Sequence, residues 1–257
     1  MRGLSGKVAI VTGGGSGIGE AICRRLADEN VAIVILDRDA AGAQRVAGDI
    51  REGGGKGHAE SADIRDYAAI VAAVARGEAA LGPAAILVNC AGGDNIVNFL
   101  DTDEAHRDNV IAVNLKGPAN VTHAVVKGMA ERGAGRVVMI SSEGGRIGSS
   151  GQAVYSACKA GQIALAKTLA REFARKGVTF NAVAPGPTAT PMMDAALAGG
   201  DGEAGRKILE KIIRGVPLGR IGEPEDVSGI VAFLASDEAA FITGQVISVS
   251  GGLTMVG

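Results

Sequence analysis

The chain has 257 residues, 47% hydrophobic and 21% charged, which suits one large soluble-type globular domain with a sizeable core. A formal net charge of −2 and an aromatic content of 3%, with no Trp, exclude a basic nucleic-acid binder with a base-stacking surface. The first apolar run, KVAIVT at 7–12, predicts a strand. It leads directly into Thr12-Gly13-Gly14-Gly15-Ser16-Gly17-Ile18-Gly19 and a helix over 17–29. Glycines allow a tight turn and close backbone approach to a pyrophosphate, and a helix N-terminus offers free N–H groups to it. Gly13, Ser16, Gly17, Ile18 and Gly19 are therefore expected to hold a dinucleotide, although a purely structural turn has the same look.

A second strand at 31–36 ends on Asp37 and precedes a helix over 39–53. A carboxylate there can accept bonds from both ribose hydroxyls and repels a 2′-phosphate, which favours NAD over NADP. Arg38 is a contrary sign, because a guanidinium can hold a 2′-phosphate. A weaker strand over 56–62 places Asp63 and Ile64 at the adenine edge, where a local capping role for the aspartate is the alternative. After a helix over 66–81 comes the strand 84–89, closing on Asn89-Cys90-Ala91-Gly92 at the carboxyl edge, where ligands of open α/β sheets bind.

A helix over 102–132, a strand over 135–140 and a helix over 155–176 follow. In YSACK, Tyr155 and Lys159 are one helical turn apart and share a face, so the cation favours the phenolate. The spacing is common and does not by itself establish catalysis. A strand over 178–184 runs into Pro185-Gly186-Pro187-Thr188-Ala189-Thr190. The strandless stretch 187–216 reads as a lid, with Met192, Met193 and Leu197 as an apolar wall. Within it, Ile208, Leu209, Ile212 and Ile213 form an apolar stripe opposite Lys207, Lys211 and Arg214. A helix over 224–235 and a strand over 244–249 close the pattern. Continuous apolar strands alternating with helices predict an α/β, Rossmann-type doubly wound parallel sheet of about seven strands, helices on both faces, in one domain spanning 1–257. The spacing of Cys23, Cys90 and Cys158 and of the three scattered histidines gives no metal site. With reduced thiols, no membrane-length run and no signal-peptide layout, a cytoplasmic location is expected.

Jointly, TGGGSGIG at 12–19, NCAG at 89–92, Asn114 in VNLKG, Ser142, YSACK, Pro185-Gly186 with Thr190, and GQVISVSGGLTM resemble the short-chain dehydrogenase/reductase family over essentially the whole chain. Cys90 departs from the family's usual second asparagine. The resemblance implies catalytic roles for Asn114, Ser142, Tyr155 and Lys159. The family's serine stands thirteen residues before its tyrosine, which selects Ser142 over Ser141. Ser142 would hold the substrate oxygen, Tyr155 would carry the proton, Lys159 would lower the phenol's pKa and bond the nicotinamide ribose, and Asn114 would keep a water in line. It implies cofactor contacts for Asn89, Ala91, Gly92, Pro185, Gly186, Thr188 and Thr190, and a homotetramer paired through the helices at about 102–132 and 155–176. The segments RIGSSGQAVYSACKAG and ITGQVISVSGGLTM resemble especially the 2-hydroxycyclohexanecarboxyl-CoA dehydrogenase group. The expected activity is therefore NAD-dependent interconversion of a secondary alcohol and a ketone. The substrate would lie against Ser142, Arg146, Tyr155, Met192 and Met193, with no nucleic-acid or membrane partner. An NADPH-dependent 3-oxoacyl reductase and a non-catalytic NAD sensor are the rival readings.

Overall fold

Strand β1 (Val8–Thr12) is buried at every position because both of its faces are covered, and all but Thr12 are apolar. The computed structural model describes residues 1–197 and 202–256. Side chains at 196–197 and 202–205 also lie outside the description, and Leu197 of the expected lid wall is among them. The described residues build a parallel sheet in the order β3-β2-β1-β4-β5-β6-β7. Its other strands are β2 (Ala32–Asp37), β3 (Gly57–Ser61), β4 (Ile86–Asn89), β5 (Gly135–Ile140), β6 (Val178–Pro185) and β7 (Val246–Val249). The order reverses direction between β1 and β4, which opens a crevice at their carboxyl ends.

Helices α1 (Gly17–Asp28), α2 (Ala40–Glu52) and α10 (Pro224–Ala235) bury Ile22, Val46 and Val231 in the core on one face. Helices α3 (Tyr67–Leu81), α5 (Gly117–Arg132) and α7 (Ala153–Phe173) bury Ile70, Val125 and Ala166 on the other. The single helix expected over 102–132 is instead α4 (Glu104–Ile111), a π turn over Ala112–Lys116, and α5. The physical cause is Asn114, whose side-chain Nδ2 takes the Val110 carbonyl at 2.9 Å and so competes with the regular helical ladder.

A short helix, α6 (Gly144–Ile147), links β5 to α7. The stretch expected to form a lid contains α8 (Pro191–Leu197) and α9 (Gly202–Gly215). On α9, Leu209, Ile212 and Ile213 are partly buried, whereas Ile208 is half exposed, so the expected apolar stripe is only partly covered. No helix among the described residues is long and apolar enough to cross a membrane.

Candidate active site

The glycine loop is built so that side chains would not fit. A Cβ on Gly19 would lie 2.0 Å from the Gly13 carbonyl oxygen, and Gly13 itself has φ +67 with Ala91 Cα 2.8 Å from its missing Cβ. Thr12, unremarked as a site residue in the sequence, ties this loop to the next strand: its Oγ1 accepts the backbone N–H groups of Cys90 and Ala91 at 3.0 and 3.1 Å. Gly17 faces Thr190, whose Cγ2 is 3.4 Å from where a Cβ would stand, so the loop after β6 meets the glycine loop. Ser16 and Ile18 lie at the start of α1, Ser16 exposed and without a side-chain cap bond.

Asp37 ends β2 with one carboxylate oxygen accepting Gly15 N–H at 3.0 Å and the other accepting Asp39 N–H at 3.0 Å. Arg45, beside the same loop, donates to Glu20 and to the Gly15 carbonyl. Arg38 is exposed and near enough to Asp63 to help lower its carboxyl's pKa, though the larger cause is the Arg65 guanidinium at 2.6 Å. Asp63 is thus part of a local clamp, and Ile64 is buried against Gly117. Asn89 spends its amide on Thr122 Oγ1 at 3.0 Å, facing α5.

At the carboxyl ends of β4 and β5 the structure gathers the expected catalytic side chains. Ser141 is buried and donates to the Lys159 carbonyl at 2.9 Å, which makes it a brace for α7. Ser142 accepts Gly144 N–H at 3.1 Å and lies close enough to the Tyr155 phenol to favour its ionised form. Lys159 is 3% exposed, donates to the Ile140 carbonyl at 2.8 Å and stands 5.5 Å from the centre of the Tyr155 ring. Burial pushes the lysine down to about 8. Burial also pushes Tyr155 up to about 12, with Ser142 pulling the other way, so the phenol's pKa is raised where the cation was expected to lower it. Asn114 is fully buried and clamps Gly93 from both sides, accepting its N–H at 3.0 Å and donating to its carbonyl at 2.8 Å. The Asn114 carbonyl accepts Gln162 Nε2 at 2.6 Å, a contact that no local pattern in the sequence signals.

Around this cluster, Pro185 pairs with Val249, Gly186 packs on Ser250 and Thr188 is buried with its hydroxyl on the Gly186 carbonyl. Gly92 faces Lys159 Nζ, which would be 3.2 Å from a Cβ there, and Met192 Sδ lies 3.7 Å from the Cβ position of Gly93. Met193 is partly buried and bonds Thr190 Oγ1 through its N–H. Arg146, expected to face substrate, instead reaches the C-terminal segment, donating to Ser248 Oγ at 2.5 Å and the Val256 carbonyl at 2.6 Å. Among the described residues no cluster of His, Cys, Asp and Glu suits a metal.

A family model described as Enoyl-(Acyl carrier protein) reductase matches residues 13–254. The chain is 39% identical to human (3R)-3-hydroxyacyl-CoA dehydrogenase, over 98% of this chain and 97% of that protein. It is 44% identical to acetoacetyl-CoA reductase of Rhizobium meliloti (strain 1021), over 96% of this chain and 98% of the relative. The crystal structure of levodione reductase superposes with a TM-score of 0.93 at 32% identity, covering 96% of this chain and 97% of the other.

Proposed function

The chain belongs to the short-chain dehydrogenase/reductase family of oxidoreductases, and we propose that it works there as an NAD-dependent dehydrogenase of secondary alcohols carried on acyl-thioester skeletons. The observation that carries the alcohol–ketone chemistry is the grouping of Ser142 with the buried Tyr155 phenol, with Lys159 Nζ 5.5 Å from the centre of the ring. A substrate oxygen placed between the serine hydroxyl and the phenol is held by one and exchanges its proton with the other. The cation of Lys159 favours the phenolate form that takes up the carbinol proton, against the opposing effect of burial.

The glycine cradle fits a dinucleotide, since Gly13, Gly14 and Gly19 each lack room for a Cβ and the loop's backbone is left bare. Gly13, Ser16, Gly17, Ile18 and Gly19 would hold its pyrophosphate, with Thr190 beside them, and Gly92, Pro185, Gly186 and Thr188 would bound its nicotinamide. When bound, NAD supplies the hydride acceptor. Asp37 supports NAD over NADP: its carboxylate occupies the end of β2, and the neighbouring Arg45 is already neutralised by Glu20.

The thioester is supported by the likeness to enzymes named for hydroxyacyl-CoA and acetoacetyl-CoA. A cyclic 2-hydroxyacyl skeleton is the form suggested by the sequence around Tyr155, with Met192 as an adaptable wall. The test compares kcat/KM with NAD⁺ and NADP⁺ on (3R)-3-hydroxybutyryl-CoA, trans-2-hydroxycyclohexanecarbonyl-CoA and the matching free acids. We expect turnover with NAD⁺ and an advantage for a thioester. The acetoacetyl-CoA reductase likeness favours one competing reading, an NADPH-dependent 3-oxoacyl reductase. Faster turnover with the phosphorylated cofactor would establish that reading instead.

A further inference from the structure

Between the glycine pair after β4 and helix α4 lies a carboxylate that the reaction scheme leaves unused. The Asp94 side chain is 4% exposed, its Oδ1 makes no hydrogen bond among the described residues, and it stands 3.4 Å from Nε2 of His106 on α4. Its place follows from its neighbours. Gly92 abuts Lys159 Nζ, Gly93 abuts Met192 of the lid, and Asn114 fixes the Gly93 peptide. One turn along α4 from His106, Val110 packs against Tyr155 and Cys158. Within three residues the chain thus passes from Lys159, past Met192, to the helix that packs against the phenol. Consistent with that position, the Asp94 charge opposes ionisation of both Tyr155 and Cys158.

We propose that Asp94 sorts substrates by charge, rejecting a free carboxylate beside the reacting carbinol while admitting the neutral ester or thioester of the same skeleton. A buried carboxylate without a hydrogen-bond partner on one oxygen is costly, and such groups persist where a site uses them. Two like charges in a poorly solvated cleft repel strongly, whereas an uncharged acyl group meets no such opposition. Specificity built from repulsion is a common device. The inference rests on the reading that the substrate is a thioester, and it adds how the site would tell the thioester from its acid.

The experiment is isothermal calorimetry of cyclohexanecarboxylate and of methyl cyclohexanecarboxylate binding to the full chain, with saturating NADH and, in parallel, NADPH. Wild type should bind the ester about tenfold tighter than the acid or better. Asp94→Asn should bring the two within about threefold, chiefly by tightening the acid. Asp94→Ser serves if the amide variant fails to fold. His106→Gln removes a ring able to carry a compensating proton and should widen the gap. An ester that does not bind, an acid that binds wild type as tightly as the ester, or a gap that survives in both Asp94 variants would overturn the proposal. If CoA thioesters gain nothing over simple esters while the acid–ester gap holds, the thioester reading fails and charge sorting stands.

Discussion

Replacing Lys159 by Met should stabilise the fold at pH 7 while destroying activity. Lys159 is 3% exposed, and burial lowers its ammonium from an ordinary 10.5 to about 8. At about 1.4 kcal/mol per tenfold, keeping the proton in the folded protein costs about 3 kcal/mol. The substitution also forfeits the bond from Nζ to the Ile140 carbonyl, worth about 1 kcal/mol, which leaves a net gain of about 2 kcal/mol. For a domain of this size that is a rise in Tm of about 4–8 °C. The sign has a pH signature. Below the folded value both states hold the proton and the penalty is fully present; it fades as pH rises from about 8 towards 10.5 and is absent above both values. The advantage of Lys159→Met should therefore be near zero by pH 10. Urea unfolding followed by circular dichroism at pH 7 and pH 10, without nucleotide, measures both points. A variant less stable than wild type at pH 7, or an equal gap at the two pH values, would refute the reasoning.

Tyr155→Phe should lower kcat/KM by about 10²-fold or more while NADH binding, followed by fluorescence, survives, because the phenol acts on the moving proton. An active phenylalanine variant would remove the tyrosine from the mechanism. Asp37→Ala should weaken NAD and narrow the NAD/NADP ratio of kcat/KM, and native turnover already better with NADP would contradict the role given to that carboxylate. Gly19→Ala should abolish nucleotide binding, since the new Cβ would meet the Gly13 carbonyl oxygen at 2.0 Å and displace the loop. Retained NADH affinity in a folded variant would count against the cradle. A homotetramer is expected by light scattering at micromolar concentration. On α7 Ala164 and Thr168 are exposed and small enough for close helix pairing, whereas Leu165 and Leu169 pack partly on their own core. A monomer would defeat the pairing.

The alternation of strands and helices was legible in the sequence because hydrophobic periodicity is local: a strand covered on both faces is apolar throughout, and each crossover helix carries its own stripe. The glycine loop was legible for a related reason, since a backbone needing φ > 0 or close contact admits few other residues. Ser142 and Ser141 were separated only by the family's spacing. The structure gives each a physical identity, one close to the phenol and the other bracing α7. What periodicity could not reveal depends on contacts between distant segments. The π turn arises because the Asn114 side chain takes the Val110 carbonyl and its own carbonyl receives Gln162 from α7. Arg146 turns to the C-terminal segment because Ser248 and Val256 arrive there from 102 and 110 residues away. The direction of the Tyr155 shift, the burial of Asp94 and the half-exposed Ile208 likewise follow from packing and through-space charge. Those are properties of the packed chain, and no local stretch of sequence contains them.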